Sequence, residues 1–334
     1  FDLAGVPGQA LYHGVRAGEH ALRRGALVEA AQLLQHATEL LSRVPVSREQ
    51  AAHTHRLLAQ SLAGLGRTAA CAKACQLGLR ALGRSLPPPT LGLVVGIVGE
   101  LAGQLRRLLR PAGVPLPPPA DSRARREEAE LLALVFEASF YSLEQLQMVY
   151  SLLGSTNAAD DVGAVERQVL GYSGLALVLS MTPLRRGAAA YFTRAEALLR
   201  RCPQPEPRAE LELRRIRALT YVGAGKLRAA LRESELAIAG AARLRDDPLR
   251  MFSLLVRRMA NLHLGDFVNA LRDGTEIERL AHAGQNVQQL TWAQTINAMV
   301  RLRLGELGQA RLGQPHAVRA LEVEGLGHHA DGQD

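Results

Sequence analysis

Three segments set the reading of this chain: Gly225-Lys226-Leu227-Arg228-Ala229-Ala230, Gly265-Asp266-Phe267-Val268-Asn269-Ala270 and Gly305-Glu306-Leu307-Gly308-Gln309-Ala310. Glycine returns at 225, 265 and 305, and alanine at 230, 270 and 310, a period of 40 residues. One period upstream Ala190 keeps the alanine column while Arg185 replaces the glycine. Two further copies, Gly25 to Ala30 and Gly66 to Cys71, stand 41 residues apart near the start. A fixed period of this size is the mark of a repeat array. The physics of one unit is a helical hairpin. Glycine, free to take positive φ, ends the first helix. The small residue five positions on lies where the second helix must approach the first. Around the first turn, Ala17, Gly18 and Ala21 precede and Ala30, Leu34 and Ala37 follow, spacings that place one small or apolar stripe on each helix.

Composition agrees. The 334 residues are 47% hydrophobic but only 4% aromatic, and leucine and alanine dominate. That is too apolar for a disordered chain, and its residues favour helices over strands. The expectation is an all-α fold of about seven hairpins. Three cysteines, Cys71, Cys75 and Cys202, make no disulfide framework and point to a reducing compartment. The uncharged run from Gln168 to Leu184 has 17 residues and is too short and polar to span a bilayer. The chain reads as cytoplasmic, with no membrane partner, and its start at Phe1 reads as a fragment of something longer. The net charge of +8 raises nucleic acid as a partner. Against it, lysine occurs only at Lys73 and Lys226, and the arginines are scattered in pairs such as Arg23-Arg24 and Arg257-Arg258. Arg-mediated nucleic-acid binding is therefore the weaker alternative.

Between the two repeat blocks lies a different region. Pro87-Pro88-Pro89 stops the second hairpin, Thr90 to Arg110 reads as a helix, and Pro111 to Pro119 forms a second stop. The expected organisation is 1–84, N-terminal hairpins; 85–120, a Pro-rich linker with an amphipathic helix; 121–322, C-terminal hairpins; and 323–334, a disordered tail. Asp121 or Ser122 is the expected cap of the helix that follows the linker. Further helices run from Leu131 to Arg201, with breaks expected near Gly154 to Asp161 and at Pro183.

No motif for chemistry emerges. Cys71 and Cys75 lie four apart with His53 and His55 on the preceding helix, but no Cys-x2-Cys knuckle is present and the histidines point to different faces. The cysteines also occupy the repeat positions of Ala30 and Leu34, so they read as buried apolar thiols. A phosphate-binding Gly-x4-Gly-Lys-Ser/Thr loop and a Gly-x-Ser-x-Gly elbow are both missing. Glu127, Glu128, Glu130, Asp160 and Asp161 read as helix-start acids. Trp292, the single tryptophan, reads as a packing residue. The expectation is no catalytic residue, no cofactor, no metal, and a ligand-binding set that the sequence leaves unnamed.

The pattern resembles the tetratricopeptide repeat family. Gly18, Gly25, Ala30, Leu34 and Ala37 fill that family's small, turn and packing positions in the first unit, and Ala218, Tyr221, Gly225, Ala230 and Ala237 do so in a later one. The departures are a period of 40 rather than about 34, Ser234 and Gly274 at a bulky position, and few closing prolines. Longer stretches are similar to the helical region of bacterial signalling ATPases of the AAA or STAND type. These are often fused to class III adenylate/guanylate cyclase or serine/threonine kinase domains. The stretches are Ala10 to Leu41, Leu82 to Pro89 with Gln104 to Leu108, Thr182 to Arg186 with Ala190 to Phe192, and Asn286 to Ala293 with Arg301 to Gly305. This resemblance implies a TPR-like solenoid acting as a non-catalytic interaction and regulatory module, with a protein or peptide partner. That partner would include the ATPase or cyclase core of the same parent chain. None of that core's motifs is present in this sequence. The alternative is the sensor region of a STAND-type transcriptional regulator.

Overall fold

A computed structural model describes residues 6–108, 121–183, 185–202 and 207–306. Among them the chain is all helix: α1 Pro7–Arg23, α2 Leu27–Leu40, α3 Arg48–Gly64, α4 Thr68–Ala81, α5 Leu91–Leu108, α6 Ser122–Ser142 and α7 Gln145–Val162. Then follow α8 Val165–Ser180, α9 Arg185–Arg201, α10 Pro207–Gly223, α11 Leu227–Leu244, α12 Asp247–Leu264, α13 Phe267–Ala283 and α14 Val287–Arg303. The fold is an all-α, TPR-like helical-hairpin array. It divides into two compact units, Phe1–Leu213 and Arg214–Asp334, with the boundary inside α10. The expected tail 323–334, the second proline stop and Ala310 lie outside the described residues.

The turns obey the glycine rule. Gly25, Gly66, Gly225, Gly265 and Gly305 all take positive φ, between 70° and 81°, and each follows a first helix of the repeat. Side-chain caps start many helices. Ser47 and Gln50 form a reciprocal capping box on α3, and Asp121, Asp246, Asp266 and Asn286 each accept an N–H three residues on.

Packing within a hairpin follows volume complementarity. A Cβ placed on Gly18 would lie 2.5 Å from Leu34 Cγ, so glycine on α1 is the socket for leucine on α2. One period on, Ala59 and Cys75 fill the same two places with intermediate volumes, both buried. In the second unit the pair is Ala218 and Ser234, again buried. At the next hairpin the sizes invert: Arg258 stands in the small column, fully buried, and its Cζ would lie 2.8 Å from a Cβ on Gly274.

Three sequence expectations are corrected. First, no break occurs at Gly154–Asp161, because α7 runs to Val162 and ends at Gly163, whose φ is +63°. Gly154 allows close approach to α6: a Cβ there would lie 3.0 Å from Leu132. The neighbouring polar side chains are bonded inside, Ser155 to the Ala129 carbonyl and Thr156 to the Leu152 carbonyl. The turn before α7 is made instead by Leu143, at φ +61°. Second, Ala190 is exposed; α9 buries Ala188 and Ala195 instead, so the alanine register does not extend to this hairpin. Third, Ala17 is also exposed, leaving Gly18 and Ala21 as the buried stripe of α1.

Helix α5 is not part of a hairpin. It lies along α7 in parallel register, with Gly96 against Tyr150, Glu100 near Gly154 and Gly103 against Asn157. A polar network locks it there. Gln104 donates to Asn157 Oδ1 at 2.7 Å, and Asn157 donates to the Glu100 carbonyl at 2.9 Å. Arg107 pairs with Asp161, which also receives Arg125 at 2.8 Å. Asp160 accepts from Tyr172 at 2.7 Å and from Gln168 at 3.0 Å. Burial raises the Asp160 carboxyl above its ordinary range despite these donors, and burial beside Asp160 pushes the Tyr172 hydroxyl up as well.

Candidate interaction surface

The second unit carries charge inside its hairpins. Arg257 on α12 forms two bonds to Asp273 on α13, at 2.5 and 3.0 Å. One period earlier the equivalent pair forms: Arg217 on α10 faces Glu233 on α11 at 3.9 Å, joined by Arg214 at 3.2 Å. Beside Arg257, Arg258 donates one bond, to Asn297 on α14 at 2.5 Å, and Asn297 in turn donates to Glu278 at 2.6 Å. The Arg258 Nε and Nη1 are buried with no hydrogen-bond partner. The two neighbours respond oppositely. The bond to Asp273 raises the Arg257 guanidinium further, while burial lowers Arg258 to about 10.

The Arg258–Asn297 bond ties α12 to α14, and the repeat places apolar residues at matching positions of the two helices. Phe252 and Trp292 occupy equivalent repeat positions one period apart, as do Met259 and Met299. Phe252, Met259 and Trp292 are half-buried, whereas Met299 is 61% and Leu302 56% exposed. Arg215 on α10 lies over the Phe252 ring, 4.2 Å from its centroid, a cation–π distance. Tryptophan, aromatic rings, methionine and arginine are the residues enriched at protein interfaces. Methionine adds a flexible surface that accommodates varied partners.

Trp292 does pack, as expected, against the cluster of Met251, Leu254, Leu255 and Ile277. Its role in an aligned column was missed, although the 40-residue period that aligned the glycines also aligns 252 with 292 and 259 with 299.

Cys71 and Cys75 are buried in the core of the first unit. The adjacent Cys71 thiol, together with burial, pushes the Cys75 thiol well above its ordinary range. His55 is held low by desolvation, and His53 bonds Glu127 on α6 at 3.0 Å, away from the thiols. Among the described residues no cluster of His, Cys, Asp and Glu is placed to hold a metal ion, and no helix is long and apolar enough to cross a membrane. The first unit also has an open groove of about 350 Å³ between α2 and α3, lined by Val28, Gln32, His36, Leu58, Leu62 and Arg67. The acids Glu127, Glu128, Glu130 and Asp161 are each paired with arginine, and Arg125 bridges Glu128 and Asp161.

No family model matches the chain, and no curated protein matches it. Solved structures do share its fold. The crystal structure of a Rap protein complexed with competence and sporulation factor is 15% identical, with a TM-score of 0.57, covering 94% of this chain and 75% of that one. The structure of the Rap conjugation gene regulator of the plasmid pLS20, in complex with the Phr* peptide, is 13% identical with a TM-score of 0.58, covering 97% and 77%. At these identities the likeness is one of fold.

Proposed function

We propose that the chain is a non-catalytic regulatory module that binds a protein or peptide segment along the first-helix face of its second unit. The observation that carries this reading is the aligned pair of columns, Phe252 with Trp292 and Met259 with Met299, flanked by Arg215. Such a face offers large aromatic and thioether side chains against which a partner's apolar anchors can pack. The net charge of +8 favours anchors set among acidic residues. Support also comes from the fold neighbours, of which one is in complex with competence and sporulation factor and the other with the Phr* peptide. The pairing of so many arginines with acids inside the hairpins argues against a nucleic-acid surface.

The test uses Trp292, the single tryptophan, as a reporter inside the site. Peptides selected on the purified chain from a random displayed library should shift its emission. They should lose at least tenfold in affinity against Phe252→Ala or Met299→Ala. Selected peptides that bind these variants unchanged would overturn the assignment.

The short-motif resemblance supports a finer reading, in which the module serves a bacterial signalling ATPase linked to a nucleotide cyclase or a kinase. Reading the coding sequence upstream of Phe1 tests it directly, because the ATPase motifs are either encoded there or not.

A further inference from the structure

Helix α5 presents an apolar face that stays exposed among the described residues. Its inner face packs on α7 through Gly96, Gly103 and Gln104. Its outer face carries Leu91, Val94, Val95, Val98, Leu101 and Leu105, all exposed, from 45% at Val94 to 75% at Leu91. The spacings of three and four make one continuous stripe along the helix. Together the six expose on the order of 600 Å², the upper end of what a monomer leaves open. The polar network on the inner face turns the stripe outward, away from α7.

We infer that this stripe is a homodimer interface, in which α5 pairs antiparallel with α5 of a second copy about a two-fold axis at Val98. Three features favour a second copy over another partner. In that register Leu91 meets Leu105, Val95 meets Leu101 and Val94 meets the small, exposed Ala102, so the stripe is complementary to itself. Two copies cover about 1,200 Å², the lower bound for a specific interface. The charges also match. The α5–α7 register, 96 beside 150 and 103 beside 157, sets Glu144 level with Thr90, and Arg106 of the second copy is level with Thr90 too. Arg106 and Glu144 are both exposed, so the two-fold pairing sets opposite charges at the same level at each end of the interface. Gly99 adds room at the centre, since a Cβ there meets nothing within 4 Å.

The interface is tested on the full chain by sedimentation equilibrium and cysteine cross-linking. The chain should sediment as a reversible dimer, and Val98→Glu, which sets two carboxylates on the axis, should shift it to monomer with an unchanged helical CD spectrum. Arg106→Glu and Glu144→Arg should each raise the dimer dissociation constant about tenfold, and the double swap should restore it. Under oxidation Val98→Cys should cross-link with itself, whereas Leu91→Cys should cross-link only when mixed with Leu105→Cys. A monomeric wild-type chain, or a dimer indifferent to Val98→Glu, would overturn the interface. Self-cross-linking of Leu91→Cys would overturn the antiparallel register. The peptide test above reads a different face, so either result stands without the other.

Discussion

Replacing Arg258 by methionine is expected to stabilise the protein, whereas the same change at its neighbour Arg257 should cripple the second unit. Arg258 is fully buried, and burial holds its guanidinium at about 10 against an ordinary value above about 12. That depression is a penalty of about 3 kcal/mol on the charged form at neutral pH. Methionine fills a similar volume over Gly274 and removes the penalty. It gives up one charge-assisted bond to Asn297, worth about 2 kcal/mol, so the net gain is about 1 kcal/mol. Neither acid nearby is stranded: Asp273 keeps Arg257, and Glu278 keeps Asn297. Arg257→Met does the reverse, leaving the buried Asp273 without its bidentate partner at a cost of about 3–5 kcal/mol. The sign with pH follows. A base whose folded value is depressed is penalised below that value and relieved above it, so the advantage of Arg258→Met should shrink by about 1.4 kcal/mol per pH unit above 10. The assay is urea unfolding followed by Trp292 emission, which reports the unit in which both arginines sit. A loss of 2 kcal/mol or more in Arg258→Met, or a neutral Arg257→Met, would refute this reasoning.

Other substitutions probe the remaining claims. Gly18→Ala should cost about 1–3 kcal/mol by overpacking against Leu34, and Leu34→Ala about 2–5 kcal/mol by opening a cavity. The double variant, which approaches the Ala59 and Cys75 pairing, should cost less than the sum by at least 1 kcal/mol or so, read by denaturant midpoints. Leu143→Asn should raise stability by about 0.5–1 kcal/mol, since asparagine tolerates the left-handed backbone that ends α6; a lower melting temperature would count against the turn. Glu127 is held below the usual carboxylate range: burial opposes this, but the bonds from His53 and Arg56 prevail. Its contribution is therefore present above about pH 4.3 and is lost as pH falls through the lower folded value. Glu127→Gln should lose about 2 kcal/mol at neutral pH, with the gap to wild type closing on acidification, followed by circular dichroism.

The parts of the fold legible in the sequence are those where backbone geometry restricts residue choice. A turn needing positive φ selects glycine, so five hairpin turns were visible as a column. Close helix approach selects small residues, which made Ala30, Ala230 and Ala270 visible. Where glycine serves packing rather than turning, the same letter misleads, and Gly154 looked like a break inside α7. The true turn at Leu143 gives no sign, because its positive φ goes with the hydrogen bonds that close α6 on the Ser139 carbonyl and not with leucine's own preference. The register failed at Ala190 because alanine is frequent enough to occupy an exposed position in step by accident. The linker helix was legible as amphipathic, but not that its apolar half would be the exposed one. That depends on the inner face, where glycines and a glutamine meet α7 and its asparagine.

The arginine–acid pairs inside the second unit limit how this array can be recombined. Positions held by Arg217 and Glu233, and again by Arg257 and Asp273, are held in the first unit by Ala17 with Leu33 and by Leu58 with Ala74. A hairpin moved from one unit to the other would carry its internal pair intact and still fold upon itself. Its outer contacts would change, however, since the second unit joins successive hairpins through Arg258 and Asn297, whereas in the first unit α3 and α4 meet α6 through leucines and through His53, Arg56 and Arg84 on Glu127 and Glu128. The repeats thus share a period without sharing a joint. Duplicating or deleting a hairpin should be tolerated within one unit and resisted where the two chemistries would meet.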